Sequence, residues 1–140
     1  MPTVLIVDDE PDILVLLRLA LQAAGYSTAE ATDGEEALRV IRDRTPDVVL
    51  LDIMMPVMDG WVTLERLQES EQHPPVIMVT ARTASRDRDR AMELGAEDFV
   101  TKPFEPADLL ERMRHVLDSR GFGRRTTAAP DPEPSAPTPG

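Results

Sequence analysis

The chain contains no cysteine. That excludes disulfides, thiolate catalysis and zinc sites built on sulfur. Histidine is scarce too, with only His73 and His115, so imidazole-rich metal sites are not expected. Lysine is almost missing: of fifteen basic residues, fourteen are arginine and one is Lys102. Positive charge is short overall, and the formal net charge of −11 argues against direct nucleic-acid binding, because a phosphate backbone is held by a basic surface. No apolar run approaches the roughly 20 residues of a membrane-spanning helix. The chain does not open with a basic stretch followed by an apolar one. These absences point to a soluble, cytoplasmic protein with no membrane partner.

What is present is a globular composition, with 41% hydrophobic residues in 140, enough for one domain with a real core. Three short apolar stretches, 3–7 (TVLIV), 48–51 (VVLL) and 76–79 (VIMV), read as strands apolar enough to be buried on both faces, and 98–101 (DFVT) as a further short strand. Residues 27–31 (STAEA) are a fainter strand. Between them lie helical stretches. The first opens at Pro11-Asp12, runs to a stop at Gly25, and places Ile13, Leu16, Leu17, Ala20, Leu21 and Ala24 on one stripe. The second is capped by Asp33, with Ala37, Leu38 and Ile41 inward. The third starts at Asp59-Gly60 and spans about 60–70 with Leu64 and Leu67 inward. The fourth, 84–94, is rich in charge and closed by Gly95. The last, about 106–118, carries Leu109, Leu110, Met113, Val116 and Leu117 on one side. Five strand–helix alternations imply a doubly wound parallel sheet with helices on both faces. Residues 1–120 form this domain. Residues 121–140, with five prolines in the last eleven, have almost nothing to bury and are expected to be a disordered Pro/Ala-rich tail.

In an open parallel sheet, ligands sit beyond the carboxyl ends of the strands. The residues arriving there are Asp8 and Asp9 after the first strand, Asp52 after the third, Thr80 after the fourth and Lys102 after the fifth. Each alone has a bland reading as a cap, a turn or a surface charge. Together on one rim they do not, because clustered carboxylates are costly unless a cation or a proton relieves them. Mg2+ takes oxygen ligands and keeps waters, so two carboxylates and a carbonyl suffice. An ammonium and a hydroxyl opposite that cation would complete a pocket for a transferred phosphoryl group.

The motifs VLIVDDE, VVLLDIMMPVMDG, VIMVTA and GAEDFVTKPF, followed by an amphipathic last helix, resemble the receiver domains of two-component response regulators over about residues 2–120. The resemblance implies a flavodoxin-like (βα)5 fold with strand order 2-1-3-4-5. It implies that Asp52 is the phosphoacceptor, with Thr80 and Lys102 contacting the phosphoryl oxygens. Asp9, Asp52 and the Met54 carbonyl would bind Mg2+ directly, and Asp8 through water. Thr80 and Phe99 would form the switch, and the Lys102-Pro103 bond would be cis. The donor would be a sensor histidine kinase or phosphotransfer protein. The output would appear on the face of the fourth helix, fifth strand and fifth helix, whose helix 85–90 (SRDRDR) has few apolar anchors. On that face Arg88, Asp98, Asp108 and Arg112 resemble the dimer-forming residues of winged-helix regulators, which implies a phosphorylation-enhanced homodimer. The chain would be a stand-alone receiver binding an unknown downstream protein, or one whose output module has been lost. It would not be an enzyme beyond assisting its own phosphorylation and dephosphorylation.

Two other classes compete. A pseudo-receiver, never phosphorylated, would normally have lost an acid or the lysine, and all are kept. An Asp-nucleophile phosphohydrolase needs Asp-x-Asp after its first strand, where this chain has Asp8-Asp9-Glu10. Met54 and Arg82 would flank a water attacking the phosphate, and neither is an amide or carboxylate able to orient it. Self-dephosphorylation is therefore expected to be slow, and a phosphate lost within seconds without a phosphatase would contradict this.

Overall fold

The computed structural model describes residues 2–70, 73–82 and 85–119. Along the chain run β1 (Thr3–Val7), α1 (Pro11–Ala23), β2 (Ser27–Ala31), α2 (Gly34–Arg44) and β3 (Val48–Leu51). They are followed by α3 (Gly60–Gln68), β4 (Val76–Thr80), α4 (Ser85–Glu93), β5 (Asp98–Thr101) and α5 (Pro106–Ser119). The strands form one parallel sheet in the order β2-β1-β3-β4-β5, as expected. The fold is flavodoxin-like. Among the described residues no helix is long and apolar enough to cross a membrane.

The near-continuous apolar strands are explained by burial on both sides. Successive side chains point to opposite faces, so Leu5, Val7, Val49, Leu51, Val76, Met78 and Phe99 enter one core. Val4, Ile6, Val48, Leu50, Ile77, Val79 and Val100 enter the other. Helices α2, α3 and α4 cover the first face through Ala37, Leu64, Leu67 and Ala91. Helices α1 and α5 cover the second through Leu14, Leu17, Leu21, Leu109, Met113, Val116 and Leu117.

One expected stripe is displaced. In α1 the buried residues are Leu14, Leu17 and Leu21, while Leu16 is 42% exposed and Ala24 is the exposed C-cap. The helix is apolar nearly all round, so its sequence does not set its rotation; packing on β1 and α5 does. The fourth helix ends at Glu93, one residue before 94; residue 84, at its expected start, and the tail 121–140 lie outside the described residues. Helices α2 and α3 begin as expected. Asp33 accepts from the Glu36 N–H at 2.8 Å and Asp59 from the Val62 N–H at 3.0 Å.

The loop from β3 to α3 is pulled tight. The Gly60 N–H donates to the Ile53 carbonyl at 2.7 Å, and the Met58 carbonyl accepts from the Gly34 N–H at 3.1 Å. A Cβ on Gly60 would collide with the Asp52 carbonyl and the Ile53 Cα, both backbone and neither able to yield cheaply. Gly60→Ala is expected to destabilise the fold by about 1–3 kcal/mol, read as a lower urea midpoint; an unchanged midpoint would show that the loop can relax.

Candidate functional site

The sheet ladder continues past the strands and fixes the rim. The Asp8 N–H donates to the Ala31 carbonyl at 3.1 Å, Asp52 to Val7 at 3.0 Å, and Lys102 to Thr80 at 2.8 Å. Each functional side chain therefore leaves from a backbone already bonded to the neighbouring strand. The Lys102-Pro103 peptide is cis.

Here Asp8, Asp52, Thr80 and Lys102 come together as expected. Asp52, Thr80 and Lys102 line a cavity of about 260 Å³ with Asp9, Glu10, Met54 and Ala81. Asp8 is 2% exposed, Asp52 5% and Thr80 fully buried. The Lys102 Nζ donates to Asp8 Oδ2 at 2.7 Å, to Glu10 Oε1 at 2.7 Å and to Asp52 Oδ2 at 3.2 Å. Its three donor protons thus meet three different carboxylates. The other Asp52 oxygen, Oδ1, accepts from the Met54 N–H at 3.4 Å.

The tight acidic group among the described residues is Asp8, Glu10 and Asp52, with ligand oxygens within 4.8 Å of one another. Asp9 lines the cavity but is exposed and stands outside that group. Glu10 is the residue sequence reasoning missed. It was visible as the third acid of Asp8-Asp9-Glu10, but its partner is Lys102, 92 residues away. The donor set is all hard oxygen, so the residues present fit a divalent cation such as Mg2+.

Burial is the largest influence on Asp8 and pushes its carboxyl above the ordinary aspartate value. The Lys102 hydrogen bond and the Glu10 N–H oppose that shift, and the Asp52 charge adds to it. For Lys102, burial alone would lower the ammonium. Hydrogen bonds to Asp8 and Glu10 and the charge of Asp52 outweigh it and hold Lys102 above the usual lysine value.

The remaining sequence candidates divide. Met54 is 60% exposed at the cavity mouth. The Arg82 guanidinium is not free beside the cleft. It is bound to Asp87 through two hydrogen bonds of 3.1 Å. Phe99 is 3% exposed, packed in the core with Trp61 and Ala91. On the output face Arg112 donates to both Asp98 oxygens at 3.0 Å and to Asp108 at 3.1 Å, whereas Arg88 is exposed. Three of the four residues expected there are thus paired with each other inside the chain.

A family model described as "Response regulator receiver domain" matches residues 4–114. The chain is 41% identical over 120 residues to the transcriptional regulatory protein PrrA of Mycobacterium tuberculosis, covering 86% of this chain and 52% of that protein. It is 38% identical over 130 residues to the alkaline phosphatase synthesis transcriptional regulatory protein PhoP of Bacillus subtilis, covering 93% and 52%. The chain spans about half the length of these curated relatives. Among solved structures it is similar to a CheY-like response regulator receiver domain protein of Methanospirillum hungatei. That match has a TM-score of 0.82 at 30% identity and covers 88% of this chain and 98% of the other. The chemotaxis response regulator CheY4 of Vibrio cholerae aligns with a TM-score of 0.78 at 34% identity, covering 83% and 98%.

The raised Asp8 value gives a signed expectation. Its ionised form is disfavoured by folding, so Asp8→Asn is expected to raise the urea midpoint at pH 7 in the absence of divalent cations. A raised folded value means that protonation favours the native state. The wild type therefore gains stability as pH falls through the raised Asp8 value towards the ordinary 3.8. The advantage of Asp8→Asn, which cannot titrate, should shrink over that window. A lower midpoint for Asp8→Asn at pH 7 would show that the Lys102 bond outweighs burial.

Proposed function

The chain belongs to the response regulator receiver domain family, and from that premise we propose that it is a phosphorylation switch with Asp52 as phosphoacceptor. The observation that carries this reading is the single lysine held within 3.2 Å of a buried carboxylate that ends a central strand. The donor is a phosphohistidine on a sensor kinase or phosphotransfer protein. One Asp52 oxygen attacks phosphorus as the N–P bond breaks. The bond's electron pair stays on the imidazole nitrogen, and an O–P bond forms to give an acyl phosphate.

The residues around Asp52 supply what this step needs: position and charge. Asp52 is held by its backbone bond to β1. Lys102 can turn from the carboxylates to the phosphoryl oxygens without losing an anionic partner. The buried Thr80 hydroxyl can donate to another of those oxygens. Asp9, Asp52 and the Met54 carbonyl, with Asp8 through water, would hold Mg2+; Glu10 has a carboxylate oxygen within 4.8 Å of those of Asp8 and Asp52. When bound, the cation supplies the positive charge that neutralises the transferring group. Thr80 movement would alter the space open to Phe99, and the change would be read on the α4–β5–α5 face as a population shift. The domain turns over no substrate; it assists only its own phosphorylation and dephosphorylation.

Incubation with acetyl phosphate and Mg2+ tests this. Mass spectrometry is expected to find one phosphoryl group, absent in Asp52→Asn and lasting minutes or longer in the wild type. Continuous hydrolysis of acetyl phosphate would favour a phosphohydrolase, and no reaction a pseudo-receiver; either would overturn the reading.

We also propose that phosphorylation favours a homodimer through Arg88, Asp98, Asp108 and Arg112. Exposed pairs such as Arg112–Asp108 contribute little within one chain, so they can be exchanged for pairs with a second copy. Light scattering is expected to show a mass increase on adding beryllofluoride with Mg2+; a persistent monomer would sink the dimer.

A further inference from the structure

Helix α4 carries one charge into the interior. Asp87 is 7% exposed on a helix whose only other buried residue is Ala91. Arg82 Nε donates to Asp87 Oδ2 and a terminal guanidinium nitrogen donates to Oδ1, both at 3.1 Å. A bidentate pair of this kind combines strength with fixed geometry. The other end of Arg82 faces the phosphorylation site: its backbone N–H donates to the Thr80 hydroxyl at 3.3 Å. Arg82 also lines a second cavity, of about 510 Å³, with Asp9, Met54, Asp59 and Trp61. That cavity shares Asp9 and Met54 with the acidic cleft. One turn beyond Asp87, Arg90 lies over the Trp61 ring, 4.2 Å from its centroid. Arg82 is thus joined through its backbone to the switch hydroxyl and through its side chain to α4.

An acyl phosphate on Asp52 would put close to two negative charges where the carboxylate had one, against the single charge that Asp87 offers Arg82. We propose that Asp87 is a positioning residue for the switch: it holds the Arg82 guanidinium in the unphosphorylated protein and yields it to the phosphoryl oxygens on Asp52. The inference rests on Asp52 being the phosphoacceptor. Once the guanidinium leaves, a buried carboxylate stands without its cation, which is costly. Helix α4 has little apolar surface to hold it against that cost, so its first turn moves towards water. Phosphorylation is converted into helix movement by exchange of one cation between two anions. By linkage, weakening the Arg82–Asp87 pair favours the phosphorylated arrangement.

The test titrates beryllofluoride in the presence of Mg2+ while following Trp61, the only tryptophan, with amide exchange of α4 measured by NMR. Asp87→Asn is expected to bind beryllofluoride about fivefold or more tightly than the wild type. Its α4 amides should exchange without beryllofluoride as fast as those of the wild type with it. Arg82→Gln, which alters a half-exposed side chain, is expected to bind more weakly and to exchange α4 quickly in both states. In the Arg82→Gln background, Asp87→Asn should have no further effect on affinity. An equal effect in both backgrounds would mark general electrostatics and overturn the exchange. So would an Asp87→Asn affinity at or below that of the wild type, or α4 exchange in the wild type that ignores beryllofluoride. If Asp87→Asn does not fold, Arg82→Gln decides alone: wild-type affinity with beryllofluoride-dependent α4 exchange overturns the proposal. A wild type that binds no beryllofluoride would instead remove Asp52 as phosphoacceptor.

Discussion

One ammonium among three carboxylates organises the functional end of this molecule. Lys102 reaches Asp8, Glu10 and Asp52 at 2.7, 2.7 and 3.2 Å. Without it the buried Asp8 and Asp52 would face each other with no cation near, which is costly. With it they share one cation at the end of an apolar sheet. The arrangement depends on the sheet in turn. The ladder bonds from Asp8, Asp52 and Lys102 to the neighbouring strands set where each side chain begins. Helices pack on both faces of β1, β3 and β4 and leave those strands fully enclosed.

The same end of the molecule is where stability is given up. Asp8 sits above its ordinary proton affinity because it is buried, and the acids outnumber the cation that holds them. Helix α4 extends the pattern outward. It is held to the rest of the domain by Ala91, by the Arg82–Asp87 pair and by the stack of Arg90 on Trp61 of α3 rather than by a wide apolar face. Contacts made of charge respond to a new charge, whereas apolar packing does not. The element best suited to move is thus the one whose anchorage is electrostatic.

The similarity to longer transcription regulators and to single-domain receivers of the same fold sets the biological frame. On the face of α4, β5 and α5 the chain carries an internal Arg112 network, with Arg88 left exposed, so Asp98, Asp108 and Arg112 are available to a partner only if those pairs open or rotate.

The strands, the helix starts at Asp33 and Asp59, and the site residues Asp8, Asp52, Thr80 and Lys102 were legible in the sequence. They follow from local rules: apolar runs make buried strands, short acids cap helices, and the residue after each strand arrives at one rim. The rotation of α1 was not legible, because a helix apolar on most sides has no preferred face until it packs. Nor were Glu10 beside Lys102 or Arg82 on Asp87. A charged side chain reads the same in sequence whether it faces water or a partner, and its partner is chosen by a backbone path that spans 92 residues in one case and five in the other. The sequence by itself determined the order of elements and the chemistry collected at the sheet's edge. Tertiary structure alone decided which charges neutralise which, because Coulomb energy depends on separation and burial, and neither exists until the chain has folded.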